Sequence, residues 1–315
     1  MNTDPFQDTT HEKELIYPQS KNNFYCWLSG ALILAANKVR HTVQGYITPR
    51  TFPISDFDRA VEYDISVVTS WKHYLDRYTG TATGIEGMNI LELGPGADLG
   101  IGLLLLAHGA GKYCALDINN LVESVPDEFY TALFKRIETE KISKTNLSDL
   151  KKELECTRNN ENHRLNYICD KNFDLNRFKS DDIDLVFSQA AFEHFDNIPH
   201  TFSQLSTVVQ QGCILIAEID LSTHTRWIRD FDPLNIYRYS DWYYNLTRFR
   251  GSPNRVRPHQ YKEILEDLGW KDVRVIPRRQ THNHYINGIK HHLAAQFKKP
   301  AEEVGMLSVI LCATR

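Results

Sequence analysis

Apolar residues recur along this chain in two rhythms, one suited to strands and one to helices. Short runs that are apolar at nearly every position fit strands covered on both faces. Longer stretches with apolar residues every three or four positions fit one face of a helix. Asn89 to Leu93, Tyr113 to Leu116, Leu165 to Cys169, Ile183 to Phe187 and Cys213 to Ile219 are runs of the first kind. Leu99 to His108, residues 127 to 163 and residues 191 to 211 are helix-prone and stand between them. Strands alternating with helices predict an α/β fold with a doubly wound, mostly parallel sheet. Val273 to Ile276 and Leu307 to Cys312, separated by the helix-prone Asn287 to Phe297, add an antiparallel C-terminal edge and bring the predicted sheet to seven strands.

Ahead of the sheet, Ser55 to Tyr78 has helical apolar spacing behind a serine cap, with Asp56 and Asp58 in its first turn. Residues 1–49 form an N-terminal extension whose first twenty or so positions are polar and aperiodic, as in a frayed or draped segment. Within it, Phe24 to Ala36 predicts a buried amphipathic helix. The run is shorter than the roughly 20 residues that span a bilayer, and it starts too far from Met1 to read as a signal peptide. No transmembrane segment is therefore expected, and a peripheral membrane contact is the other reading of the run. Residues 50–315 read as one domain, in which residues 222–259 break the alternation and are expected to fold over the carboxyl edge of the sheet.

Composition narrows the partners. At 315 residues and 42% hydrophobic the chain can bury one sizeable core, and a net charge of -4 with pI near 6.4 gives no global attraction to nucleic acid or an anionic membrane. The cysteines, Cys26, Cys114, Cys156, Cys169, Cys213 and Cys312, are scattered without a CxxC pair, which fits buried reduced thiols in a cytoplasmic protein. Nothing in the pattern specifies an oligomeric state.

The chemistry begins at NILELGPGADLG, where a strand enters a turn carrying Gly94 and Gly96 and a helix follows. Glycines there admit positive φ and let a ligand approach the backbone. In open α/β sheets such a turn lies at the carboxyl ends of the strands, where ligands bind. Asp117 follows Gly96 by twenty-one residues and ends the second strand, where a carboxylate can accept from both hydroxyls of a ribose. A dinucleotide site would carry that acid too, but its G-x-G-x-x-G spacing is missed by one residue at Gly100. Glu92 would also repel a diphosphate. A cationic, phosphate-free ligand fits better.

These residues resemble the first motif, acid-x-Gly-x-Gly, of the class I S-adenosylmethionine-dependent methyltransferases, whose sheet is Rossmann-like. The resemblance implies that Glu92, Gly94 and Gly96 surround the amino acid end of S-adenosylmethionine. Asp117 and Ile118 then stand at the ribose, Asp170 at the adenine amino group, and Ser188 and Gln189, in DLVFSQAAFEHF, beside the sulfonium. A narrower likeness, over roughly residues 50 to 275, is to bacterial methyltransferases associated with surface-polysaccharide biosynthesis. It rests on GPGADLGIGLLLLAHGA, IDLSTH, PLNIYRYSDWYYNL and NRVRPHQYKEILEDLGW. Such relatives carry a histidine where Ala217 stands and an acid where Thr223 stands, so their substrates do not carry over directly.

An acceptor hydroxyl must lose its proton, which calls for a base near the fourth and fifth strand ends. His224, oriented by Asp220, is the first candidate base. His194 is the second, with Glu193-His194 otherwise read as a helix cap. Asp196 and Glu218 add carboxylates, but their spacing is not diagnostic and no metal is assigned. The arginine- and aromatic-rich segment from His224 to Tyr261 suits a small-molecule or glycan acceptor, stacked on aromatic faces and held by guanidinium forks. Its other reading is a lid packed by its own aromatics, its arginines paired to Asp230, Asp232 and Asp241. The leading expectation is O-methylation of a sugar or glycan hydroxyl. The alternatives are methylation of an amine or natural product, a nicotinamide-dependent dehydrogenase and a non-catalytic cofactor-binding protein.

Overall fold

The apolar runs become hydrogen-bonded neighbours. The computed structural model describes residues 13–18, 22–44, 56–159, 161 and 163–315. The chain passes through β1 (Glu14–Ile16), α1 (Asn23–Gln44), α2 (Phe57–Thr79), β2 (Asn89–Leu93), α3 (Gly100–Ala107), β3 (Lys112–Asp117), α4 (Asp127–Thr139), α5 (Leu147–Arg158) and β4 (Leu165–Cys169). It continues through β5 (Ile183–Gln189), α6 (Ile198–Val208), β6 (Val209–Asp220), α7 (Arg226–Arg229), α8 (Asp241–Thr247), α9 (Pro258–Asp267), β7 (Lys271–Thr281), α10 (Asn283–Ile289) and β8 (Met306–Thr314).

Strand order is β1-β7-β8-β6-β5-β2-β3-β4. β6, β5, β2, β3 and β4 are mutually parallel, so their carboxyl ends share one edge. β8 runs antiparallel between β6 and β7, giving the expected antiparallel C-terminal side. The order reverses at β2, which has β3 on one flank and β5 on the other, and this opens a crevice beyond its carboxyl end. Two apolar layers cover the faces of the sheet, one built on α2, α3 and α4, the other on α6 and α9.

An eighth strand, beyond the seven of the pattern, comes from the segment expected to fray. Glu14–Ile16 pairs in parallel with Arg279–Thr281, and the His282 N–H donates to the Ile16 carbonyl. Three residues on a sheet edge are too few to leave a period in the sequence.

α2 is the expected amphipathic helix. Val61, Val67, Val68, Trp71, Tyr74, Leu75 and Tyr78 form its buried stripe, and Asp56 caps it by accepting from the Arg59 N–H. The expected cap at Ser55 lies outside the described residues, as does the expected boundary at position 50. α3 is buried on all sides, as its uniformly apolar sequence requires.

α1 corrects its expectation. Only Cys26 and Gly30 are buried, while Phe24, Leu28, Leu32, Val39 and Val43 are exposed along one stripe. The inner face is held by polar bonds from the segment after β6. Asn235 donates to the Cys26 carbonyl (2.8 Å), the Tyr239 hydroxyl to that of Trp27 (2.8 Å) and the Tyr243 hydroxyl to that of Ala31 (2.7 Å). Among the described residues no helix is long and apolar enough to cross a membrane. The cysteines are free and buried except the exposed Cys169.

Candidate active site

The turn after β2 is set by backbone conformation. Gly94 and Gly96 have φ of 75° and 80°, the left-handed region that a side chain disfavours. A Cβ on Gly94 would stand 2.6 Å from the Ala191 Cβ, whereas the space before Gly96 is open for 4 Å. Across the turn, Asp117 ends β3 with Oδ1 accepting from the Asn119 N–H (2.9 Å) and Oδ2 from the Gly96 N–H (3.4 Å). Burial raises its pKa, opposed by the N–H groups of Asn119, Gly96 and Ile118. Asp170, at the end of β4, lies beside it and donates its own N–H to the Asp117 carbonyl (2.8 Å). The Asp170 carboxylate accepts from the Asn172 N–H and the Arg177 guanidinium, which hold it below its usual pKa.

Beneath the turn, Glu92 is fully buried. It accepts from the Tyr113 hydroxyl (2.6 Å), its other oxygen has no partner, and burial pushes its pKa up to about 8. Beside it stands Asp64 of α2, which sequence reasoning missed. Burial, then the charge of Asp98 and a hydrogen bond with it, raise Asp64 well above the carboxylate range. Its signal was an acid on an otherwise apolar helical stripe. Asp98 also accepts from the Gly100 N–H (2.9 Å). Around this one turn, Asp98 and Glu92 raise the pKa of Asp64, and Asp98 and Asp117 raise that of Glu92, an arrangement that a cationic ligand relieves.

At the end of β5, Ser188 is fully buried and donates to the Leu93 carbonyl (2.8 Å), joining β5 to β2. Gln189 donates to Glu218 (2.8 Å) and leaves its buried carbonyl oxygen without a partner. Glu218 is also ion-paired to Arg278, and Asp196 to the surface Arg248. Neither Glu218 nor Asp196 joins a ligand set.

His194, Asp220 and His224, the residues expected on the acceptor side, lie close together beyond β5 and β6. The His194 and His224 rings stand edge to face, 4.8 Å between centroids. His194 Nδ1 is 2.7 Å from the Gly251 carbonyl, and His224 Nδ1 is 2.9 Å from the Ser222 carbonyl. A carbonyl only accepts, so both Nδ1 atoms carry the proton and both Nε2 atoms present a lone pair. Burial lowers both imidazoles, His194 to about 4, and they are neutral at pH 7. Glu193 caps no helix; it turns into the same space, deeply buried, with burial and then Asp220 raising its pKa.

Asp220 acts on His224 through its charge, which raises the imidazole pKa, and not through a hydrogen bond. Its carboxylate accepts from the Ser222 N–H (2.9 Å) and hydroxyl (2.6 Å), with Arg229 at 3.6 Å and Arg279 at 3.5 Å. Burial opposes its ionisation, but His224, Arg279 and Arg229 bring its pKa below the usual value. The imidazole is held by backbone because only one residue separates Ser222 from His224.

Three of the seven arginines of the segment after β6, Arg238, Arg255 and Arg257, are buried. Arg238 is buried against Asp232, which also accepts from Asn235 and the Tyr285 hydroxyl. Arg255 pairs with Asp241 and lies 3.9 Å over the Tyr244 ring, and Arg257 lies 4.7 Å over Tyr237. These support the lid, whereas Arg229 and Arg279 face the mouth beside Asp220. Trp227 and Trp242 are exposed.

A family described as a methyltransferase domain matches residues 63–275, about two thirds of the chain. Among solved structures, the CurJ carbon methyltransferase is 17% identical, covering 92% of this chain and 68% of its own, with a TM-score of 0.46. Phosphoethanolamine N-methyltransferase 2 from Haemonchus contortus is 13% identical, with coverage of 81% and 52% and a TM-score of 0.42. This chain therefore spans about half of that enzyme's length. An S-adenosylmethionine-dependent methyltransferase from Mesorhizobium loti is 12% identical, with coverage of 76% and 95% and a TM-score of 0.39. No curated protein matches the sequence.

Proposed function

The chain belongs to the methyltransferase-domain family, an enzyme that uses S-adenosylmethionine, and from that premise we propose that it methylates a hydroxyl of a small, acidic sugar or glycan. The residues around the turn suit the cofactor. Glu92 keeps a buried oxygen without a partner, and the surrounding carboxyls favour a ligand carrying ammonium and sulfonium charge. Asp117 would accept from the ribose hydroxyls with Ile118 alongside, and Asp170 would meet the adenine amino group. Gly94 and Gly96 would lie against the amino acid end, with Ser188 and Gln189 beside the sulfonium. When bound, the cofactor supplies a methyl carbon already activated for in-line displacement. The protein's task is then to align the acceptor, keep the site dry and remove a proton.

The observation that carries the acceptor reading is the group formed by Glu193, His194 and His224. Its two free Nε2 lone pairs and buried carboxyl lie beside the ends of β5 and β6, where a hydroxyl proton must leave. Charge at the mouth supports an acidic acceptor, because the Asp220 carboxylate faces two guanidinium groups, Arg229 and Arg279. Residues 222–259 form the acceptor-side insertion, and its exposed Trp227 and Trp242 offer flat faces to a sugar ring.

Calorimetric titration with S-adenosylhomocysteine and with NAD, followed by transfer of labelled methyl groups to uronic acids, sugar phosphates, neutral sugars and amines, examines the reading in order. Micromolar binding of the first nucleotide alone and labelling of acidic sugars is the expected result. Binding of NAD instead would void these residue roles, and labelling confined to amines would void the acceptor. His224→Ala should keep nucleotide affinity and lose turnover.

A further inference from the structure

Every atom that converges between Glu193, His194 and His224 is an electron-pair donor. Both imidazole Nδ1–H groups are spent on backbone carbonyls, so Nε2 can only accept. Neither Glu193 oxygen has a side-chain partner or a well-aligned hydrogen bond, the backbone N–H groups of Glu193 and Asp220 giving only partial compensation; the side chain is only 3% exposed, and Oε1 is 3.9 Å from His224 Nε2. The three candidate ligand atoms lie within 4.8 Å of one another. Three ligand-type atoms around a buried space, with no side chain of another residue donating to them, suit a cation that would replace the proton which burial favours on Glu193.

We propose that Glu193, His194 and His224 bind one divalent transition-metal ion, zinc or a close neighbour, with a position left open for an acceptor oxygen. Two imidazoles and one carboxylate are the ligand types and number of an open metal site. Tetrahedral ligands about 2.1 Å from a metal stand about 3.4 Å apart, so side-chain rotations of roughly an ångström close the set. The Gly251 and Ser222 carbonyls supply the outer hydrogen bonds that fix metal-binding imidazoles. Asp220 is engaged by Ser222, Arg229 and Arg279 and stays out of the set. The metal's role in turnover rests on the hydroxyl-acceptor reading. With the metal bound, the Nε2 lone pairs are ligands and no longer bases: a hydroxyl ligated at the open position, acidified by the metal, gives its proton to water, and its oxygen attacks the methyl carbon as the C–S bond breaks to leave the neutral thioether.

Full-length protein, stripped with a chelator and checked for retained S-adenosylhomocysteine binding, is titrated with cobalt(II) by visible absorption and metal analysis. Expected is one equivalent with the d–d bands of a four- or five-coordinate site, at least tenfold weaker in both Glu193→Gln and His224→Ala. Circular dichroism and nucleotide binding in each variant report that it is folded. Binding that persists unchanged in both variants would place the metal on surface histidines such as His291 and His292 and overturn the site, as would no binding in a folded protein. If cobalt binds as expected but no hydroxyl is labelled, the site stands and the acceptor reading fails. Full hydroxyl methylation by the stripped protein overturns the metal's role in the reaction.

Discussion

Glu92 and Asp117 flank the same glycine turn and respond differently to a ligand. Asp117 is tied to backbone N–H groups and offers lone pairs beside open space. Asp117→Ala removes a charged acceptor, so affinity for S-adenosylhomocysteine should fall by about tenfold or more. Unchanged affinity in a folded variant would move the ribose elsewhere. Glu92, with a pKa of about 8 through burial and the neighbouring Asp98 and Asp117, is mostly protonated at neutral pH. An ammonium group placed beside it favours the ionised form, so nucleotide binding should release a proton and strengthen as pH rises from 6.5 toward 8. Calorimetry in two buffers of different ionisation heat reads that proton directly. Glu92→Gln should abolish both the release and the slope, and a slope that survives would mean that the cation lies away from Glu92.

The elements that were legible in the sequence are those whose burial leaves a period, symmetric in the central strands and one-sided in α2. The central parts of β2, β3, β5 and β6 are covered on both faces and show as runs apolar at nearly every position, and the turn at Gly94 and Gly96 shows because glycine suits its φ. α1 misled because its run is apolar without being buried. Cys26, Gly30, the half-buried Leu34, ring contacts of Tyr25 and His41, and a set of backbone carbonyls form the contact, and no period marks a bond to a carbonyl. His194, Asp220 and His224, the candidates expected on the acceptor side, could be named from strand ends, but what holds them could not. Their real partners, the Gly251 and Ser222 carbonyls and the buried Glu193, depend on how the chain turns after β5 and β6. Asp64 was missed because its position on α2 gains meaning only once Asp98 and Glu92 lie against it. The seating of α1 yields its own expectation. A Cβ on Gly30 would overlap Asn235 and the Tyr239 hydroxyl. Gly30→Leu should therefore raise hydrogen exchange across Asn23–Gln44 while β5 and β6 stay protected. Equal loss of protection in all three would make α1 part of the main cooperative unit.

At the scale of the whole molecule, the sheet gathers acids from α2, β2, β3 and the turn into one buried region, and that region couples fold stability to pH. Glu92, with a pKa raised to about 8, and Asp64, raised well above its ordinary value, bind protons in the folded state that the unfolded chain releases at lower pH. Their stabilisation is complete below the unfolded carboxyl pKa and is lost as pH rises through the folded value. Buried imidazoles work in the opposite direction. His108 and His194, pushed down to about 4, add stability as pH rises from about 4 to the ordinary imidazole value of 6.5, and nothing further beyond it. The two trends offset each other below pH 6.5, and only the carboxyl trend remains from 6.5 to 8. The ligand-free protein should therefore lose Tm steadily across that upper window. Saturating S-adenosylhomocysteine, whose ammonium stabilises ionised Glu92, should flatten the fall, and Glu92→Gln should flatten it without ligand. A Tm that holds constant or rises from pH 6.5 to 8 in the free protein would mean that these carboxyls are ionised throughout, with a cation of the protein's own already beside them.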